Sequence, residues 1–293
     1  MHSTSEENLV VAYARRLSAG QQCRILTYDI VSKVSTVVHT STALLFEAPN
    51  WTSDGQLVLN GDGLLWAMAA DGSDPPRPIP LDGLPELNND HVLDVVSPSV
   101  YLSADDGHIW KARLTGGPAT RITTGDHMHF LHGISPDGST LAYVGIENQR
   151  WDSGTLWTVP AAGGTGVPLT TGPGPDDGPE YSPDGEWIYF NTERFSANAQ
   201  IARIRPDGTG LEQLTFDERV NWFPHLTSTH AVYLSYPPGT TGHPADRSVE
   251  LRLITDGDWK SPETVVALSG GQGTINVNSW SPDGRAFAYV DYL

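Results

Sequence analysis

GPEYSPDGEWIYFNTERFSANAQIARIRPDGTGLEQLTFDE, residues 178–218, contains one complete structural unit. Ser182-Pro183-Asp184-Gly185 reads as a tight turn. Proline presets φ at its first corner, aspartate can bond its own backbone, and glycine accepts positive φ. Trp187–Phe190 follows and is apolar on both faces, as a strand covered on both sides requires. A polar connection, Asn191–Ala199, leads to a more mixed strand, Gln200–Arg205. Pro206-Asp207-Gly208-Thr209-Gly210 is a second tight turn, and Leu211–Thr215 is a more polar outer strand. With a short inner strand ahead of the first turn, the unit is a four-stranded antiparallel meander.

The first turn recurs as Thr52-Ser53-Asp54-Gly55, Ser135-Pro136-Asp137-Gly138 and Ser281-Pro282-Asp283-Gly284, with degenerate copies at Ser97-Pro98-Ser99 and Thr227-Ser228-Thr229. Between residues 53, 97, 135, 182, 227 and 281 the steps are 44, 38, 47, 45 and 54 residues, the spacing of propeller blades of roughly 40–50 residues. The ends complete each other. The chain closes with an inner strand, Thr274–Trp280, and one apolar strand, Ala286–Tyr292. It opens with two strands, Cys23–Ile30 and Lys33–Thr40, that have no inner partner. Joined, they make a sixth blade and remove the exposed edges of an open array. The expected fold is all-β: one domain over residues 1–293, a six-bladed β-propeller of four-stranded antiparallel blades, its last blade shared by the two termini.

Composition agrees with this. Thirty Gly and 22 Pro suit many short strands joined by turns. Seventeen Lys and Arg stand against 35 Asp and Glu, a formal charge of −18. Such a surface repels phosphate backbones and anionic membranes, so neither nucleic acid nor membrane is expected as a partner. Cys23 is the only cysteine, so no intrachain disulfide can form. Met1–Asn8 lacks the basic start and apolar core of a secretion signal, and a cytoplasmic location is the expectation.

The turn-plus-aromatic repeat, quoted above as SPDG followed by Trp187-Ile188-Tyr189-Phe190, resembles the TolB-like propeller family over nearly the whole chain. A fold of this kind hosts binding modules and enzymes alike. No GxSxG elbow or phosphate-cradling loop occurs. Ser103–Trp110 fits an Asp-box once, without repetition, and reads as a turn.

In a meander the SPDG turns lie on one face, and the connections between blades lie on the other. The second set is chemically diverse, and loops that need not be polar for folding usually carry function. The site is therefore expected at that mouth of the central channel. His132, Glu180 and His225 lie two or three residues before their turns, and His91 sits in the corresponding segment of blade 2. Each inner strand would thus present one titratable group at a similar depth. Imidazoles with a carboxylate suit a divalent metal ion, with Mn, Zn, Fe and Ca not distinguished. His132, Glu180 and His225 are the expected ligands. Equally, polar groups on inner strands can simply bond one another. Asp90, His129, Asp177, Asn221, Gln272 and Asn276 are expected to line a ligand, Trp222 and Tyr236 to stack on a sugar face, and Arg150 and Arg194 to clamp a carboxylate.

Within the TolB-like group the outline is similar to oligogalacturonate lyases. That resemblance implies a metal polarising a substrate carboxylate, a His or Arg such as His91, His243 or Arg150 taking the proton, and Arg194 orienting the anion. The lyases carry a Gln and neighbouring His late in the chain. Here Gln272 is followed by Asn276 and Asn278, which broadens the expected substrate to a small carbohydrate-like molecule and the reaction to metal-assisted lysis or hydrolysis. The alternative is a non-catalytic propeller that binds a peptide or protein partner at the channel mouth.

Overall fold

The computed structural model describes residues 15–172 and 174–293. Met1–Asn8, read above for a secretion signal, lies outside them. The chain forms the six-bladed propeller expected; among the described residues it is almost entirely strands and turns, with one three-residue 3-10 turn, Trp151–Ser153. Blade 4 shows the pattern: Asp176–Tyr181, Ile188–Thr192, Gln200–Ile204 and Glu212–Gln213 pair in that order. Blades 1, 2, 3 and 5 begin with inner strands Phe46–Trp51, Leu87–Leu93, Met128–Ile134 and Val220–Leu226. Among the described residues no helix is long and apolar enough to cross a membrane.

The four SPDG-type turns share one bonding scheme. The hydroxyls of Thr52, Ser135, Ser182 and Ser281 donate to the Asp two residues on, at 2.5–2.6 Å. Gly55, Gly138, Gly185 and Gly284 each return an N–H to the first residue's carbonyl at 2.8–3.2 Å, with φ between +67° and +83°. That left-handed geometry is why glycine closes each turn.

Blade 6 closes the ring as expected. Cys23–Asp29 pairs with Ala286–Tyr292 on one side and Val34–Ser41 on the other. Its innermost segment departs from the expected strand. Ala288 and Val290 donate to the carbonyls of Ser279 and Thr274, and Trp280 bridges Phe287, but no regular strand forms over 274–280. The asparagine side chains supply the reason: Asn276 Oδ1 accepts the Gly273 N–H, and Asn278 Oδ1 accepts the Trp280 N–H. A side chain that takes a backbone donor replaces a ladder bond.

Six apolar clusters fill the six gaps between neighbouring blades. Val144 and Leu156 of blade 3 meet Ile188 and Phe190 of blade 4. Ile25 and Val290 of blade 6 meet Leu57 and Leu59 of blade 1, which completes the circle. Each fully buried side chain such as Phe190 stabilises the ring by roughly 1.5–3 kcal/mol.

Five inner strands share an irregularity absent from the sequence reading. Register slips between Glu47 and Asn50, Leu87 and His91, Leu131 and Gly133, Asp177 and Glu180, and Trp222 and His225. In a regular strand, residues three apart point to opposite faces. A bulge restores them to the same face. Three of these bulges hold a left-handed residue, Ala48, Gly178 or Phe223, with φ from +53° to +63°. Each is followed by Pro49, Pro179 or Pro224. In blades 1 and 4 one strand can therefore aim two side chains at the channel, Glu47 and Asn50 or Asp177 and Glu180, one towards each mouth.

Candidate functional site

The channel groups fall into two tiers. Towards the blade-connecting loops lie Glu47, Asp90 and Asp177, all buried. Between the two aspartates sits His132, whose Nε2 is 3.2 Å from Asp177 Oδ1 and 3.9 Å from Asp90 Oδ1. Its Nδ1 donates to the Asn276 carbonyl at 3.2 Å. Burial works against a charged ring here, but Asp90 and Asp177 outweigh it and raise the His132 pKa to about 9. His132 is thus an imidazolium at neutral pH, with both nitrogens donating. Burial would lift Asp177 as well, yet hydrogen bonds from His132 and His243 hold it well below the usual carboxylate range. Asp90 goes the other way, raised by burial and by its neighbour Asp177. His243 Nε2 lies 3.5 Å from Asp177 Oδ2, and its ring stands edge-on to Trp222 and Trp151.

Towards the SPDG turns lie Asn50, Glu180, His225 and Asn278. Glu180 Oε2 meets His225 Nδ1 at 2.6 Å, while Oε1 accepts the Leu226 N–H at 2.8 Å and the Asn278 amide at 2.7 Å. The other ring nitrogen of His225 faces the Ile275 carbonyl. A cavity of about 370 Å³ opens at this end. Trp51, Val92, Ile134, Pro136 and Tyr181 wall it, and Asn50, His132, Glu180 and Asn278 form its polar floor. It opens towards the SPDG turns, opposite to the mouth expected from loop length.

The expected metal trio does not fit a metal ion as arranged. Glu180 and His225 hold each other, and His132 belongs to Asp90 and Asp177. Among the described residues no three His, Cys, Asp or Glu side chains form a group that could hold one. A ligating imidazole must offer a bare nitrogen, and His132 offers none.

The other expected residues separate clearly. Asp90, Asp177, His243 and Asn276 meet at His132. Gln272 sits nearby and donates to Asn89 at 3.2 Å. His91 does not reach the channel. It is fully buried, with Nδ1 2.6 Å from Asn60 Oδ1, and burial drives its pKa down to about 3. Its neighbour Asp90 takes the channel face, so alternation sends His91 between blades. His129 lies tilted against His127 and Tyr143, and burial lowers its pKa to about 4. Arg194 forks onto buried Asp176, with Nε to Oδ1 at 2.7 Å, and also bonds the Thr171 carbonyl, so it has no free fork for a substrate anion. Arg150 is exposed and paired with Asp152. Asn221 is spent on Gln200, Thr215, Asp217 and Ser235. Trp222 and Tyr236 are 1% and 0% exposed, beyond the reach of a sugar ring. Sequence reasoning missed Asn50, Trp51, Tyr181 and Asn278. Their signal was available: each sits within five residues before an SPDG-type turn, level with Glu180.

No family model matches the chain. It is 38% identical over 289 residues to an uncharacterized protein of Agrobacterium fabrum, a match covering 95% of this chain and 96% of that one. In structure it is similar to a TolB-assigned protein of Agrobacterium tumefaciens, with TM-score 0.87 and 36% identity over 94% of this chain and 99% of the other. Oligogalacturonate lyase from Vibrio parahaemolyticus, at 12% identity over 93% of this chain and 78% of its own, shares the fold with TM-score 0.56. With its repeat, its ring closure and a full-length relative at this level of identity, the chain belongs to the TolB-like β-propeller family.

Proposed function

We propose that this propeller is a binding module that receives a peptide segment of a protein partner in the turn-side end of its channel. One observation carries the reading: the ionisable groups facing the channel are already paired with one another. His132 lies between Asp90 and Asp177, and Glu180 is held by His225, Asn278 and a backbone N–H. An acid–base catalyst needs a group that can give or take a proton near neutral pH. His132, at about 9, keeps its proton. An acidic sugar would meet Glu180, and no Lys or Arg lines the cavity to receive its carboxylate. Apolar walls around a few fixed polar groups suit a side chain or two of an extended segment. Val95, on the rim, is 54% exposed and adds an apolar landing.

The test is a peptide selection on the purified protein. Selected peptides should bind wild type and lose affinity roughly tenfold or more with Val95→Glu, a surface change that leaves folding intact. The reading fails if Val95→Glu leaves every selected peptide unaffected. It also fails if wild type releases unsaturated ends from polygalacturonate with Mn²⁺ and His132→Ala does not.

A further inference from the structure

At the opposite end of the channel one side chain is seated as a ligand would be. Arg15 belongs to no blade; it precedes the first strand, Cys23–Asp29. Its Nη1 donates to Glu47 Oε1 at 2.8 Å and to the Gln272 carbonyl. Its guanidinium carbon lies 4.7 Å from the centre of the Tyr292 ring, and Nη2 is 3.6 Å from Asp246. The receiving groups come from separate parts of the ring: Glu47 from blade 1, Tyr292 from blade 6, and Gln272 and Asp246 from the loops around blade 5.

The seat is built, and its parts fix one another. Asn89 donates to Glu47 Oε1 at 3.3 Å and is itself held by Gln272. Ala48, left-handed at φ +53°, donates its N–H to the Gly273 carbonyl and so turns Glu47 inward. At Gly273 a Cβ would come within 2.3 Å of Glu47 Oε1 and 2.6 Å of the Tyr292 hydroxyl. Only glycine leaves room for the carboxylate beneath the ring. A carboxylate, a carbonyl and an aromatic face gathered around one position match a planar guanidinium better than an ammonium.

We infer that this seat is a guanidinium-recognition site, filled in cis by Arg15 and open to an arginine side chain of a partner segment when Arg15 leaves. Releasing Arg15 breaks no strand pairing among the described residues, although Leu17 of the same segment rests on the apolar cluster between blades 6 and 1 and Gln21 bonds Asp246. Among the described residues, strand-like bonds to the ring begin at Gln22, which exchanges N–H···O bonds with Leu293 at 2.8 and 2.9 Å.

The probe is L-argininamide, titrated calorimetrically into wild type, Arg15→Ala and Arg15→Ala/Glu47→Gln, with L-lysinamide as control. An internal occupant lowers apparent affinity by the fraction of time the seat is open. Argininamide should therefore bind Arg15→Ala roughly tenfold or more tightly than wild type. It should outcompete lysinamide there, and binding should vanish in the double variant. If Arg15→Ala does not fold, Arg15→Lys, which keeps the charge but loses the planar fork, should show the same gain in smaller measure. Absence of a saturable argininamide signal in whichever variant folds, or equal binding of both amides, would reduce Arg15 to a structural clamp and overturn the inference.

Discussion

His132 has one ring to offer two carboxylates, and the pairing sets how stability depends on pH. Its folded pKa of about 9 stands above its unfolded value of about 6.5. Its contribution is therefore fully present below about pH 6.5 and is lost as pH rises through about 9. Asp177, depressed by the same pairing, contributes above the ordinary carboxylate range and loses that contribution in acid. Replacing His132 with Gln leaves two buried acids without their cation and is expected to cost about 3 kcal/mol near pH 6.5. Urea unfolding at pH 6.5 and 9.5 checks this: the gap between wild type and His132→Gln should shrink at the higher pH. A gap that stays constant would mean His132 is not charged in the folded protein. His91 follows the opposite rule. With a folded pKa near 3, it favours unfolding as pH falls from about 6.5, because only the unfolded chain takes up the proton.

At the level of the inner strand, the bulge decides what faces the channel. Inner strands converge on the axis and leave little room between neighbours. At Gly133 of blade 3 an added Cβ would lie 2.5 Å from the Pro179 carbonyl of blade 4. Gly133→Ala must push the two strands apart, with a cost of about 1–3 kcal/mol. It should also weaken the His132–Asp177 contact, since His132 is adjacent and Asp177 sits on the displaced strand. Thermal unfolding gives the first effect and the His132 pKa by NMR the second. An unchanged pKa would show that the two strands move independently. The turns were legible because their chemistry is local: Ser182, Pro183, Asp184 and Gly185 each act on their own backbone. The bulges were not, because a register slip is a relation between two strands. Three of the five carry a mark in the sequence, a proline after the left-handed residue: Ala48-Pro49, Gly178-Pro179 and Phe223-Pro224. Counting back two or three residues from each turn put His132, Glu180 and His225 at one depth and suggested a metal. The slip places Asp177 and Glu180 on the same face at different depths, and the expected trio separates, His132 going to Asp90 and Asp177 while Glu180 and His225 pair.

For the whole molecule, ring closure was readable from the missing strands at each end, because edge strands need partners. What the ring brings together was not readable. Asp90, His132, Asp177 and Asn276 come from four different blade segments, and only the radial arrangement makes them neighbours. Arg15 lies outside the repeat altogether, so no spacing argument could place it opposite Glu47. The chain's net charge of −18 also gave no sign that acids of the channel pair internally, Asp90 and Asp177 with His132 and Glu180 with His225. That pairing is the central claim, and ring-nitrogen NMR of His132 tests it most directly. At pH 7.5 both nitrogens should carry protons, the apparent pKa should fall near 9, and adding Zn²⁺ should leave the signals in place. A neutral His132 with one bare nitrogen, shifting in proportion to stoichiometric Zn²⁺, would contradict the account.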